Sequence, residues 1–320
     1  MKDLSILIPA RSEMFLKNTV DDILKNIEAD TEIIVTLDGQ WSDPPIPQNE
    51  RVNIIYVPES IGQRAAQNIA CKLSKAKFVM KVDAHVAFDK GFDRKMIEAF
   101  KEDENVTMLP VMRNLWAFDW KCYHCGKRYY QANVPKTCEC GREDKFRRKM
   151  VWIAKEKPHS TSYCFNSVPQ FKYFNEYTKR PEYIKDKAEK GLTETMSISG
   201  SCFMSTRENY WKLQLGDEAL GNWGGQGIQV SCATWLSGGR VLTNHNTWYA
   251  HLFRTNDVLK FPWPVSGSDQ ERVKKNVRDL FWEKGHPKQI YSVSWLVKRF
   301  NPPGWSEEDI KKLEETEFKP

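Results

Sequence analysis

No stretch of the 320 residues approaches the ~20 consecutive apolar residues a membrane-spanning helix requires, which excludes an integral helical membrane protein. The amino terminus, Met1-Lys2-Asp3-Leu4-Ser5-Ile6-Leu7-Ile8-Pro9, lacks a secretory apolar core and a small-residue cleavage site. A soluble, cytoplasmic protein is therefore expected, in host cytoplasm if the chain is viral. Charge of one sign is not in great excess either. With 48 Lys and Arg against 42 Asp and Glu, the formal net charge of +6 permits a polyanionic partner without demanding one. Low hydrophobicity is absent too: 40% hydrophobic and 28% charged residues describe a globular chain, long enough for one large core or two small ones. Of eight cysteines, four are bunched at 122, 125, 138 and 140, while Cys71, Cys164, Cys202 and Cys232 stand alone in apolar contexts. Bunching reads as metal binding and scattering as core thiols, both in a reducing compartment.

The first hundred residues alternate strand and helix. Leu4 to Ile8 is a short apolar strand, and Phe15 to Ile27 carries apolar residues at helical spacing. Glu32 to Leu37 is a β-branched run ending at Asp38-Gly39; Val52 to Val57, a helix over 62–74 and Phe78 to Val82 follow. This βαβ-βαβ order predicts an α/β fold with a mostly parallel sheet flanked by helices, in which ligands bind beyond the carboxyl ends of the strands. Asp38, Asp83 and His85 stand at such ends. A carboxylate and an imidazole one residue apart, just past a buried strand, can turn toward one point and hold Mn²⁺. The same two residues also read as a turn cap and a surface histidine.

Further segments bear on the choice. Residues 61–88 form an Arg- and Ala-containing helix leading into Asp83-Ala84-His85; residues 222–240 begin N-W-G-G-Q-G; and Tyr249-Ala250-His251-Leu252-Phe253-Arg254 and Asn276-Val277-Arg278 follow. In this order they resemble the GT-A (Rossmann-like) nucleotide-sugar glycosyltransferases, family 2-like, and within them the polypeptide N-acetylgalactosaminyltransferases. That branch has Asp-x-His as its metal motif, Trp-Gly-Gly-Glu-Asn, Gly-His-x-Phe-Arg and Asn-x-x-Arg; the Asn-to-Arg spacing here is one residue shorter. The resemblance implies metal-dependent transfer of a hexose or N-acetylhexosamine from a UDP-sugar. It makes Asp83, His85 and His251 ligands of Mn²⁺ (or Mg²⁺), with His245 a competing ligand. It also makes Asp38 the nucleoside-binding acid, Arg64 and Arg254 donor-binding cations, and Pro9 and Arg11 part of the nucleotide wall. Asp38-Gly39 reads equally as a β-turn.

Trp223, Gly224 and Gly225 are expected to line the sugar pocket, glycine allowing close backbone approach. Where the family has Glu-Asn, this chain has Gln226-Gly227. Gln226 cannot act as a base, and Asp217 and Glu218 are the nearest carboxylates. The absence of a base favours deprotonation of the acceptor by the departing phosphate, with retention of configuration.

Residues 114–194 have no counterpart in the family. Cys122-x-x-Cys125-Gly126 and Cys138-x-Cys140-Gly141 resemble the two knuckles of a zinc ribbon, with four thiolates for a structural Zn²⁺ and His124 as an alternative ligand. Arg142, Lys145, Arg147, Arg148 and Lys149 follow, interleaved with Tyr129, Tyr130, Phe146 and Trp152, a mixture suited to nucleic acid or to a solvated face over a small core. The expected organisation is a nucleotide-sugar half over 1–113, the ribbon insertion with acceptor binding over 114–194, the acceptor and sugar half over 195–290, and a helical tail over 291–320. DNA carrying hydroxymethylpyrimidines, a virus-type modification, is the favoured acceptor. A protein or glycan acceptor, and a noncatalytic DNA-binding protein on a degenerate transferase scaffold, are the alternatives.

Overall fold

The computed structural model describes residues 2–100, 103–131, 133–143, 145–254 and 267–320. The chain opens with β1 (Leu4–Ala10), α1 (Leu16–Asn26), β2 (Thr31–Asp38), β3 (Val52–Val57), α2 (Gln63–Leu73) and β4 (Phe78–Val82). β1 lies parallel to both β2 and β4, and β2 to β3. Leu4, Ile6, Leu7 and Ile8 are all fully buried, with Ser5 buried between them, so residues on both faces of the strand are covered, as in a parallel sheet flanked by helices. α1 buries Leu16, Thr19, Val20 and Ile23, one stripe at helical spacing.

A short β5 (Val86–Phe88), α3 (Phe92–Ala99) and the 17-residue β6 (Val106–Cys122) follow, then β7 (Arg128–Tyr130) and β8 (Phe146–Ala154). β9 (Tyr163–Phe165), β10 (Phe171–Tyr173), α4 (Pro181–Lys190), β11 (Leu192–Glu194), β12 (Cys202–Thr206) and α5 (Arg207–Lys212) lead back to the sheet. The chain closes with α6 (Gln226–Leu236), β13 (Arg240–His251), α7 (Gly267–Arg278), α8 (Val293–Phe300) and α9 (Glu307–Thr316). The main strand order is β11-β13-β6-β12-β4-β1-β2-β3, with β12 antiparallel to β4 and β13 parallel to β6. Among the described residues, no helix is long and apolar enough to cross a membrane.

β6 runs unbroken through residue 114: its first half pairs with β13, while residues 115–122 pair with β7 and β8. The ribbon is thus an outgrowth of a central strand rather than a separate body. The remainder of the insertion is core, since Tyr163, Phe165, Phe174, Tyr177 and Tyr183 are all buried in the main cluster. The tail is also built in: α8 buries Val293, Leu296, Val297 and Phe300, and Trp305 Nε1 donates to the Phe165 carbonyl at 2.9 Å. α9 begins with the capping box of Ser306 and Asp309.

Candidate active site

The site is assembled where β4 ends and β5 begins. Asp83 N–H donates to the Ser201 carbonyl at 2.8 Å, and β5 then pairs antiparallel with the end of β13, placing His251 opposite Val86. That register carries His251 across 166 residues of sequence to His85. The two Nε2 atoms are 3.1 Å apart, and Asp83 Oδ2 lies 3.2 Å from His251 Nε2 and 3.9 Å from His85 Nε2. Ligands ~2.1 Å from a common ion and at right angles stand about 3 Å apart, so one carboxylate oxygen and two imidazole nitrogens already have the spacing of a metal site.

The surroundings tune these three groups. Glu13, with 2% of its side chain exposed, accepts from His85 Nδ1 at 3.0 Å, which leaves the Nε2 lone pair facing the cluster, and it also pairs with Arg254. Burial pushes the Glu13 carboxyl up, but His85 and Arg254 outweigh it and hold it below its usual value. Lys81, fully buried, binds Asp83 Oδ1 and donates to the Gly200 carbonyl at 2.6 Å. Burial likewise pushes Asp83 up, and Lys81 and His251 pull it well below the carboxylate range. Burial is also the main reason His251 falls to about 4, so its imidazole is neutral at pH 7 and available as a ligand.

Two adjoining cavities open on the cluster. One of about 380 Å³ is bounded by Pro9, Arg11, Asp38, Trp223 and Arg254 together with all three metal-site residues. The second, about 360 Å³, shares Asp83, His251 and Trp223 and is bounded by Phe171, Ser199 and Gln226. Gly224 and Gly225 border the second cavity with φ of 98° and 61°, backbone that a side chain would strain. Gln226, 4% exposed, donates to Gln67 Oε1 at 2.7 Å and accepts from Gln63 Nε2 at 3.1 Å. A chain of neutral amides thus stands where the resemblance places an acid.

Other expected residues are used differently. Asp38 borders the first cavity, but its oxygens accept from Ser60 Oγ (2.9 Å), Ile61 N–H (2.7 Å) and Gly62 N–H (3.1 Å), so it fixes the entry to α2. Arg64 borders neither cavity. Its guanidinium donates to Gln229 Oε1 and, at 2.6 Å each, to the Gly221 and Gly224 carbonyls, bracing the glycine loop rather than reaching a phosphate. Asp217 caps a 3₁₀ turn by accepting from Ala219 N–H at 3.0 Å, and Glu218 accepts from Asn68 at 2.7 Å. Neither carboxylate borders either of these two cavities. His245 is held by Thr193 Oγ1 at 2.9 Å, away from the cluster. Sequence reading missed Glu13 and Lys81. A carboxylate in the loop after β1, and a lysine inside an otherwise apolar strand, were the available signals.

The four bunched cysteines are free thiols and converge, with Sγ atoms 3.5 Å apart for Cys125 and Cys138 and 4.0 Å for Cys122 and Cys140. Sulfurs on a tetrahedral zinc at ~2.3 Å stand about 3.8 Å apart, between these values. Gly126 and Gly141 take φ of 75° and 79° as the two knuckles turn, and His124 is not in the cluster. The Cys138 thiol is lowered to about 6, first by the Cys140 N–H and then by Tyr129 Oη, toward the thiolate a metal needs.

A curled α/β sheet with a cluster of candidate metal ligands at its carboxyl edge is GT-A-like in architecture. Residues 5–131 match Glycosyl transferase family 2. Polypeptide N-acetylgalactosaminyltransferase 3 of Drosophila melanogaster is 27% identical over 106 residues, 32% of this chain and 16% of its own length. Human N-acetylgalactosaminyltransferase 7 is 27% identical over 90 residues, 28% of this chain and 14% of its length. Among solved structures, GalNAc-T7 with UDP, GalNAc and Mn²⁺ superposes with a TM-score of 0.64 at 16% identity, over 98% of this chain and 54% of the other. The chain therefore spans about half of that relative.

Proposed function

We propose that the protein is a metal-dependent glycosyltransferase that moves a hexose or N-acetylhexosamine from a UDP-sugar to a hydroxyl, with retention of configuration. The observation that carries this reading is the convergence of Asp83, His85 and His251 in one cavity of about 380 Å³, with Asp83 and His251 shared by a second that continues past Trp223-Gly224-Gly225. Mn²⁺ held by these three would supply Lewis-acid neutralisation of the leaving diphosphate. Arg11 and Arg254 border the same cavity and would bind its oxygens; Asp38 would present the ordered loop against the nucleoside. Retention is supported by the second cavity, where Asp83 is the only carboxylate among the described lining residues and would be taken up by the metal. With Gln226 neutral, the acceptor proton has the leaving phosphate oxygen as its base.

The ribbon would hold Zn²⁺ through Cys122, Cys125, Cys138 and Cys140. The acceptor we favour is a hydroxymethylated pyrimidine in DNA, supported by exposed cations and aromatics on the ribbon, with Arg147 over Tyr123 at 5.5 Å and Lys155 over Tyr130 at 4.3 Å. The test is incubation with Mn²⁺, a panel of nucleotide sugars and duplex DNA containing hydroxymethylpyrimidines, read by mass spectrometry of the nucleosides. A hexose or N-acetylhexosamine increment supports donor and acceptor together. Donor hydrolysis without an increment moves the acceptor to protein or glycan; the absence of both signals refutes the transferase reading and favours a noncatalytic protein on a degenerate scaffold. His85→Ala is expected to abolish donor turnover while leaving zinc content unchanged; full turnover in that variant would sink the metal assignment.

A further inference from the structure

We propose that Trp152, a ribbon residue, is a positioning residue for the metal site: through Phe15 it holds Glu13 against His85. In the β6–β8 ladder Trp116 faces Ile153 and Phe118 faces Met150, so Val151 and Trp152 together oppose Ala117 alone. This is a β-bulge, a device that bends a strand and re-aims a side chain. Trp152 takes φ of 58° there, left-handed backbone that a bulky residue rarely adopts. Gln131 closes the gap on the facing strand, accepting from the Ala117 N–H at 2.5 Å and donating to the Leu115 carbonyl at 2.6 Å. The ring so aimed stands 6.1 Å from that of Phe15, and Phe118 stacks on Phe15 at the same separation. In an unbulged ladder successive side chains alternate between faces, so the direction of the Trp152 ring depends on the extra residue.

Phe15 anchors the loop that carries Glu13. Its N–H donates to Glu13 Oε1 at 3.1 Å, while Glu13 Oε2 accepts from His85 Nδ1 at 3.0 Å, so one carboxylate oxygen is tied to the anchor and the other to the candidate ligand. Arg254 also binds Oε2 and balances the charge, but only the Phe15 N–H fixes Oε1 among the bonds of the described residues. The packing beneath the rest of the site comes from the same source. Ala87, two residues past His85, and Ala250 and Leu252, on either side of His251, are buried with Phe15, Phe118 and Trp120 in a small cluster separate from the main core. The ribbon therefore supplies a wall of the core on which the candidate ligands rest, and Trp152 is the part of that wall set against the residue that orients His85. Strained backbone persists where the surroundings over-determine it, and here they do so beside the site. The proposal rests on the metal-dependent reading above.

The experiment uses the full chain and the variant Trp152→Gly, which removes the ring and accepts the left-handed backbone, so that the bulge itself is kept. Mn²⁺ binding is titrated by electron paramagnetic resonance in wild type, Trp152→Gly, Glu13→Gln and the double variant. The expected result is a loss of Mn²⁺ affinity of about tenfold in Trp152→Gly, the lower end of what an outer partner of a metal-bound histidine contributes, with little further loss when the change is made in the Glu13→Gln background. Trp152→Phe is expected to recover part of the loss. Affinity within about threefold of wild type, or an equal loss with and without the Glu13 carboxylate, overturns the proposal. If Trp152→Gly does not fold, Phe118→Leu, which thins the packing on Phe15 from the facing strand, takes its place in the same cycle under the same two criteria. The metal-free protein supplies a second readout in nitrogen NMR spectra of the His85 ring: the Nδ1–H form is expected to dominate in wild type and to lose that dominance in the variant. Wild-type protein that binds no Mn²⁺ would refute the metal reading itself, and the ring spectra would then decide the role of Trp152, identical spectra overturning it.

Discussion

Replacing Glu13 by glutamine keeps the shape of the side chain and removes its charge, and the structure assigns two separable losses to that change. The first is stability. Glu13 and Arg254 have side chains 2% and 6% exposed, so screening by water is slight, and removing one partner of such a pair costs ~3–5 kcal/mol. Against a total of ~5–15 kcal/mol for a folded domain this is a large fraction, readable as a shift in the urea midpoint of the metal-free protein. The second loss is metal affinity. The carboxylate that accepts from His85 Nδ1 at 3.0 Å fixes the tautomer and raises the basicity of Nε2; outer partners of this kind are worth ~10–100-fold in affinity. Titration with Mn²⁺ followed by electron paramagnetic resonance reads this directly. The double variant Glu13→Gln, Arg254→Met separates the two, because exchanging the whole pair for neutral groups should restore much of the stability while leaving Mn²⁺ affinity low. A folded Glu13→Gln protein that binds Mn²⁺ within threefold of wild type would refute the reasoning.

Asp22 titrates in the opposite sense, raised from 3.8 to about 6, chiefly by burial. A carboxyl whose folded pKa exceeds its unfolded value binds more protons when native, so its contribution falls as pH rises from about 4 to 6 and is flat above; at ~1.4 kcal/mol per pKa unit the charged form costs about 3 kcal/mol at most. Asp22→Asn can still accept from the Phe88 N–H and is expected to gain ~1–3 kcal/mol at pH 7, with the gain vanishing below pH 4 in urea melts; a loss at pH 7 would contradict this. Protein purified without chelator is expected to carry one zinc by elemental analysis, and Cys125→Ser to lose it. Four thiols reacting at once in the native protein, with no zinc released, would exclude the site.

The sheet was legible because its signals are local. The apolar runs of β1, β2 and β4 and the stripe on α1 follow from burial on both faces of a parallel sheet, and the strand ends at Asp38 and Asp83 follow from them. The extent of the ribbon was not legible, because nothing in residues 106–122 marks where β6 changes partners; β13 and β8 lie far along the chain, and the exchange is set by which of them the sheet brings alongside. For the same reason Tyr163 to Tyr183 read as part of an insertion although they bury against α8 and the core.

Site residues divide along the same line. Asp83 and His85 are two positions apart and could be paired on sight, and the cysteines carried their own spacing. Glu13 and Lys81 could not be found this way, because each acts through a partner chosen by packing. Arg64 makes the point from the other direction. Arg64 stands in the motif-bearing helix, where sequence reasoning assigns it to phosphate, yet its donors are taken up by the Gly221 and Gly224 carbonyls and Gln229. A guanidinium is available to a ligand only if the fold leaves its hydrogen-bonding capacity unspent, and that depends on the acceptors packed around it rather than on the motif that contains it.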